Sequence, residues 1–181
     1  MKSRNLRILF VVIGAIFVAA ASKADDTQKC YLKESRLVVT LVDGDADSPY
    51  QGNDAQGKFG ILFTASAEGG QYYIPKEMVR EKQFLITKGG EPVSPYRFLI
   101  AASSAFSSPT LSSCDTPWQF CVRNEQTRIF SVEVLLQYPQ ESAFFAIRMR
   151  RLNVAGKVKY SGGIRQFVTP SVHINNVDVT N

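Results

Sequence analysis

The sequence has little of what most enzyme and metal sites require. Its 181 residues include a single histidine, His173, and three cysteines. A nucleophile and base pair would have to use that histidine, and no Gly-x-Ser-x-Gly sequence marks a serine for it. The Cys-x-x-Cys spacing typical of zinc sites does not occur either. We therefore expect no catalysis and no cofactor, with a secreted hydrolase that uses His173 as the weakest alternative.

Long apolar runs are also scarce. Only residues 8–21 are almost wholly apolar, which is about 14 residues where a membrane-spanning helix needs about 20. Basic residues precede this run, and the small residues Ser22 and Ala24 follow it at the usual cleavage positions. We therefore predict a secretory signal peptide over residues 1–24 and a single β-rich domain over residues 25–181. The mature protein would have no transmembrane segment and would be periplasmic, secreted or exposed at the cell surface.

Removal of the predicted signal peptide would leave the chain with almost no net positive charge. The whole chain has 21 Lys and Arg against 16 Asp and Glu, a net charge of +5. Four of the basic residues and none of the acidic residues lie in residues 1–24, so 17 basic and 16 acidic residues remain. A nearly neutral mature chain lacks the basic excess that nucleic-acid binding requires.

The sequence after residue 24 is predicted to form β-strands. Segments rich in β-branched and aromatic residues are separated by Gly, Pro, Asn, Asp and Ser, which predicts an all-β fold, an antiparallel β-sandwich or alternatively a closed β-barrel. The segments are residues 35–42, 58–66, 71–75, 83–87, 96–103, 118–123, 128–138, 143–152, 157–160 and 164–169. Alternation within 128–138 places Phe130, Val132, Val134 and Leu136 on one face, which should be core. At most one short helix is expected, near 75–83.

Two long segments between these strands are predicted to be loops, residues 43–58 and 103–118. In the first, Asp43, Asp45 and Asp47 alternate as in the first half of an EF-hand loop. The sixth position is Ser48 where the EF-hand needs glycine, so that motif fails. The sequence therefore favours a solvated turn over a metal site, and the three aspartates remain only a weak calcium candidate.

The second loop contains two of the cysteines. Cys114 and Cys121 enclose the turn-forming sequence DTPWQF, and export makes a disulfide between them the favoured pairing. In the chain-entropy model this bond contributes roughly 2.5 kcal/mol, and a bond from Cys30 to Cys114 would contribute roughly 4.6. Proximity favours the short link, which leaves Cys30 free, buried or bonded to another chain. Trp118, inside the closed loop, is a candidate contact residue.

A basic cluster is the other candidate binding surface. Arg148 and Arg150 alternate with apolar residues and should point away from the core. If residues 157–160 fold back as a hairpin, Lys157 and Lys159 join the arginines on one sheet face. Such a cluster would suit a polyanion, a sulfated glycan or an acidic partner. An ordinary solvated outer face is the favoured alternative.

As a class, the chain resembles exported bacterial envelope proteins, fimbrial subunits among them. The resemblance rests on the signal peptide, a β-rich mature chain of about 157 residues and the absence of any Asn-x-Ser/Thr sequon. The chain ends in VDVTN, without the penultimate tyrosine common in chaperone–usher pilins. The resemblance to envelope proteins implies a binding or assembly function, as a fimbrial or adhesin-like subunit or a periplasmic partner protein. The partner would be another envelope or surface protein, or a glycan, and not a nucleic acid.

The alternative is a small-ligand carrier or enzyme inhibitor built on a closed barrel. In that case inward-facing aromatic residues would line a cavity. The candidates are Phe59, Phe63, Tyr73 and Phe98.

Overall fold

A computed structural model describes residues 34–52, 55–76, 83–93, 99–100, 106–137, 142–155 and 158–175. Within these ranges the chain is built from strands. They are β1 (Arg36–Tyr50), β2 (Gln56–Glu68), β3 (Tyr72–Pro75), β4 (Phe84–Lys88), β5 (Glu91–Val93), β6 (Leu99–Ile100), β7 (Phe106–Ser107), β8 (Gln119–Val122), β9 (Thr127–Gln137), β10 (Ala143–Met149), β11 (Tyr160–Ser161) and β12 (Val172–Ile174). No helix in the described part of the chain is long and apolar enough to cross a membrane.

The strands form three sheets. The six-stranded sheet has the order β11-β1-β2-β9-β6, and β7 also pairs with β9. A four-stranded sheet has the order β12-β10-β4-β5, and β3 pairs with β8. Of these pairings only β1 with β11 is parallel. The predicted all-β, antiparallel sandwich architecture is confirmed.

The core lies between the inner faces of these sheets and follows the two-residue period of the strands. The predicted inward face of β9 is confirmed, since Phe130, Val132, Val134 and Leu136 are all at most 1% exposed. At the centre, the ring of Phe63 stacks on Phe130 at 5.5 Å and meets Phe167 at 5.8 Å. Phe59 is equally buried. These phenylalanines therefore pack against other side chains of the core, which does not favour the carrier interpretation that would have them line a cavity.

The predicted loop over residues 43–58 is wrong for most of its length. β1 runs to Tyr50 and β2 begins at Gln56, so paired strands occupy much of this segment. Turn-forming residues were overridden here because β2 offers a pairing partner along almost the whole of β1.

A β-bulge in β1 decides which side chains face outward. Leu41 pairs with Phe63 but Asp43 pairs with Leu62, so Val42 is an extra residue with no partner in the register. Before the bulge, Leu37 faces the core with the other odd-numbered residues. Beyond it the order is reversed, and the odd-numbered aspartates lie on the outer face of the sheet.

The segments between the strands agree only in part with the predictions from the sequence. Gly89 and Gly90 adopt positive φ angles of 57° and 90° in the hairpin between β4 and β5, as tight turns require. Residues 164–169, predicted as a strand, instead begin with a 3-10 turn at Ile164–Gln166. Most of the helix predicted near 75–83 lies outside the described residues.

Candidate binding site: the stapled loop

Residues 108–118, which join β7 to β8, form what we call the stapled loop. Cys114 in this loop bonds to Cys121 in β8, with an S–S distance of 2.09 Å and a Cα–Cα distance of 5.6 Å. The predicted disulfide is confirmed. Cys121 is fully buried, whereas Cys114 is half-buried. The bond therefore ties an accessible loop to the interior of the domain.

A buried arginine holds the loop from below. Arg128, near the start of β9, is 1% exposed, because the alternation that buries Phe130 also turns Arg128 inward. Its Nη1 donates to the backbone oxygen of Cys121 at 2.7 Å, and its Nη2 donates to Ser108 Oγ at 3.2 Å and to the backbone oxygen of Thr110. One guanidinium thus bonds both the beginning of the stapled loop and the strand that follows it.

The charge of Arg128 is balanced by Asp115, which lies inside the disulfide-closed segment. Asp115 Oδ1 accepts from Arg128 Nη1 at 2.6 Å, and Oδ2 accepts from Nη2 at 3.2 Å. The same carboxylate accepts from the backbone N–H of Cys121 at 2.8 Å and that of Ser112 at 3.3 Å. Partial burial tends to raise the pKa of Asp115, but the hydrogen bond from Arg128, these amide bonds and the guanidinium charge together lower it.

Neighbouring side chains fix the rest of the loop. Lys76, after β3, donates through Nζ to the Thr116 backbone oxygen at 2.8 Å and lies 4.8 Å above the Phe120 ring. The Lys76 amide donates to the Trp118 backbone oxygen at 2.9 Å. Arg123 donates to Ser113 Oγ. Lys76 therefore holds the loop backbone at Thr116 and at Trp118, and Arg123 holds the side chain of Ser113.

Two large apolar side chains project from this framework. Trp118 is 77% exposed and Leu111 is 91% exposed. Trp118 is the only tryptophan in the sequence. Exposed apolar side chains on a rigid loop are typical of contact residues, since aromatic anchors dominate the energy of many interfaces.

No family model, curated protein or solved structure matches this chain.

The predicted basic cluster is only partly assembled. Arg148 and Arg150 are exposed at the end of β10. The condition for the full cluster is not met at the described residues of this segment, because β11 pairs in parallel with β1 and not with β10. Lys159 instead forms an ion pair with Glu34 at 2.6 Å. Lys157 lies outside the described residues, so the structure does not bring the four cations together.

The weak calcium candidates lie in a row along β1. Asp43, Asp45 and Asp47 are exposed and alternate along one strand, and alternate residues of a strand are about 6.6 Å apart. Asp43 Oδ1 and Asp47 Oδ1 accept from the following backbone amides, at 2.8 and 2.7 Å. Among the described residues, no group of three or more His, Cys, Asp and Glu side chains is placed to hold a metal ion.

The other predicted residues are dispersed. His173 is exposed on β12, and its ring meets the Phe144 ring edge-on at 5.0 Å. Tyr73 is half-buried on β3. Cys30 and Phe98 lie outside the described residues.

Arg128 and Asp115 are the residues that sequence reasoning missed. A signal for Arg128 was present, because it occupies the same alternating face as Phe130 and Val132. A charge on a core face indicates a buried partner. Asp115, between the two cysteines, is that partner.

Proposed function

We propose that this protein is an exported, non-catalytic binding protein of the bacterial envelope type, and that the stapled loop is its contact site. The observation that carries the proposal is the exposure of Trp118 on a loop held by a disulfide and a buried ion pair. The function belongs to the class of adhesin-like or fimbrial subunits and periplasmic partner proteins. The disulfide and the signal-like start of the chain support an oxidising location, periplasmic or at the cell surface.

The fixed backbone favours binding because little has to be ordered when a partner arrives. Ordering a flexible side chain at an interface costs about 0.5–1.5 kcal/mol, and a disordered loop costs more. Here Cys114, Asp115 and Thr116 already have fixed partners within the domain. Burial of the exposed Trp118 ring would therefore contribute most of its apolar transfer energy to affinity.

The chemistry of the loop favours a protein partner over a glycan. Glycan recognition combines an aromatic ring with several unoccupied hydrogen-bonding side chains. Around Trp118, the polar side chains of Lys76, Asp115, Arg123 and Arg128 bond within the domain. The exposed Leu111 adds aliphatic surface. An apolar pocket on another envelope or surface protein suits this pair of side chains best.

The test uses the mature protein and its single tryptophan. Crosslinking of the mature protein in fractionated envelope extract would first identify the bound protein. The purified pair would then be measured by calorimetry and by Trp118 fluorescence, taken as the difference from Trp118→Ala, which is expected to shift to shorter wavelength as the ring leaves water. We expect Trp118→Ala to weaken binding by about thirtyfold, which corresponds to about 2 kcal/mol for a central aromatic contact.

Ile129→Ala is the matched control, because Ile129 is a 42% exposed apolar residue on the outer face of β9. This variant should bind like the wild type. Equal binding by Trp118→Ala and the wild type would overturn the proposal. Binding to a glycan array that depends on Trp118 would replace the protein partner with a glycan.

A further inference from the structure

The outer face of the six-stranded sheet gathers carboxylates from two strands. Three cross-strand rows of this face are Asp43–Leu62–Ser131, Asp45–Gly60–Glu133 and Asp47–Lys58–Leu135. We call its four exposed carboxylates, from Asp43, Asp45, Asp47 and Glu133, together with Lys58, the acidic face. The Lys58 ammonium bonds to Glu133 at 2.7 Å. One ammonium therefore stands among four carboxylates, and the acidic face keeps a negative charge.

A groove of about 390 Å³ crosses the acidic face. Gly60 has no side chain, and the carboxylate of Asp45 lies where its Cβ would be, so Asp45 projects over Gly60 at the wall of the groove. Asp43, Asp45 and Glu133 line the groove, with Ser131 among its polar walls. Carboxylates beside an open groove match a planar guanidinium, which bonds such oxygens in pairs.

The opposite sheet carries a surface of the complementary charge. Arg148, Arg150, Arg151 and Arg165 are all exposed, and we call them the arginine cluster. Arg148 lies on the outer face of β10, whose neighbours Ile147 and Met149 are buried. The Met149 amide donates to the Phe167 oxygen at 2.9 Å, which joins the turn containing Arg165 to this end of β10. Within the described residues, none of these arginines forms an ion pair with a carboxylate.

We propose that the acidic face is a docking surface for a second copy of this chain, which contributes its arginine cluster. Charge complementarity carries the inference. Among the described residues, Arg148 and its neighbours form no ion pair with a carboxylate, and the carboxylates of the acidic face outnumber the one ammonium beside them. A guanidinium of the second copy would enter the groove between Asp45 and Glu133.

The two surfaces lie on different sheets, which sets the type of assembly. A contact between different patches of identical chains is heterologous, so each copy can bind one neighbour on either side. The product is an open row of copies or a ring, not a two-fold dimer. Because the contact depends on exposed charges, it is expected to weaken steeply with salt.

The first experiment measures the mass of the mature protein in solution by sedimentation velocity. At an ionic strength of about 0.01 M, where the Debye length is about 30 Å, the weight-average mass should rise at least twofold with concentration. At about 1 M it should return to that of one chain. A wild-type protein that stays monomeric at low salt, or that associates equally at 1 M salt, would overturn the proposal.

Paired charge reversal then identifies the surfaces. Asp45→Lys/Asp47→Lys should abolish association, and so should Arg148→Glu/Arg150→Glu. A mixture of the two variants should associate again, because each offers the charge that the other has lost. A mixture that stays monomeric, or single variants that assemble like the wild type, would show that these faces do not pair.

Controls separate this surface from net charge, folding and the stapled loop. Glu91→Lys/Glu125→Lys makes the same change in net charge on exposed residues outside both surfaces and should assemble normally. Neutral variants, Asp45→Asn/Asp47→Asn and Arg148→Gln/Arg150→Gln, should weaken association at least tenfold and serve if the reversals fail to fold. Trp118→Ala should assemble like the wild type. Assembly lost in Trp118→Ala alone would assign self-association to the stapled loop.

Discussion

Replacing Arg128 with methionine is expected to destabilise the domain more than removing the disulfide beside it. Methionine keeps much of the volume of the buried stem between the Phe120 and Phe130 rings, which lie 5.4 and 5.5 Å from the guanidinium carbon. It removes every hydrogen bond that the guanidinium donates. The carboxylate of Asp115 would lose its counter-charge and keep only the hydrogen bonds from the Cys121 and Ser112 amides, and the backbone oxygen of Cys121 would lose the guanidinium donor.

The stability lost with the Arg128–Asp115 ion pair can be compared with the stability lost with the disulfide. Breaking a buried ion pair by removing one partner costs about 3–5 kcal/mol, because the other charge is left without compensation. Arg128 is fully buried at its side chain and Asp115 is only 14% exposed, so this range applies. The eight-residue loop closed by the disulfide is worth roughly 2.5 kcal/mol in the chain-entropy model. In a domain of this size, 1 kcal/mol shifts Tm by about 2–4 °C.

The assay is thermal unfolding of three variants under identical conditions. Arg128→Met should lower Tm by about 6–20 °C, and Cys114→Ala/Cys121→Ala by about 5–10 °C. Arg36→Met is the control, because Arg36 forms an exposed ion pair with Glu68 and should change Tm little. The double variant Asp115→Asn/Arg128→Met should lose less stability than the sum of its single variants, since removal of both charges leaves neither unpaired.

Two results would refute this reasoning. An Arg128→Met protein that unfolds within about 2 °C of the wild type would show that the ion pair adds little. Additive losses in the double variant would show that Arg128 and Asp115 act independently. The first outcome would make the disulfide the main constraint on the stapled loop.

Two further predictions concern acid stability and a close backbone contact. The pKa of Asp115 is lowered in the folded state, so its contribution to stability is present above about pH 4 and is lost as the pH falls through the folded pKa. In urea unfolding, the difference between wild type and Asp115→Asn should therefore shrink below about pH 4, and a difference that stays constant to pH 3 would contradict this assignment. Gly162 has a φ of 95°, and a Cβ there would overlap the Val39 backbone oxygen. Gly162→Ala should therefore lower the free energy of unfolding by more than the roughly 1–3 kcal/mol that backbone strain alone costs. Gly90→Ala, with a φ of 90° and open space around it, should lower it only by the strain. Equal losses of unfolding free energy in chemical denaturation would show that the overlap at Gly162 is relieved.

Local patterns predicted the parts of this fold that depend on neighbouring residues. Alternation along β9 identified its inward face, and the spacing of Cys114 and Cys121 identified the disulfide. Both depend on geometry within a few residues. The outward position of Trp118 was left open, because it depends on how Lys76 and Arg128 hold the loop from distant strands.

Contacts between residues far apart in the sequence explain where the sequence-based predictions fail. A hairpin of residues 157–160 with β10 would need only a short connection, but Leu37 of β1 pairs with Tyr160 across more than a hundred residues. The inward turn of Arg128 also escaped notice, because a charged residue is assigned to a core only when its partner is known. That partner, Asp115, is brought close by the disulfide and by β8.

The bulge at Val42 gives one residue control over the polarity of a whole surface. If Val42 instead paired opposite Leu62 with no bulge, the register would continue unbroken from Leu41, and Asp43, Asp45 and Asp47 would turn toward the core. Gly44 and Ala46 would then form the outer surface. The carboxylates owe their exposure to the extra residue as much as to their own polarity. Pairing Val42 without the bulge would erase the acidic face, whereas deleting Val42 would leave Asp43 opposite Leu62 and the face intact.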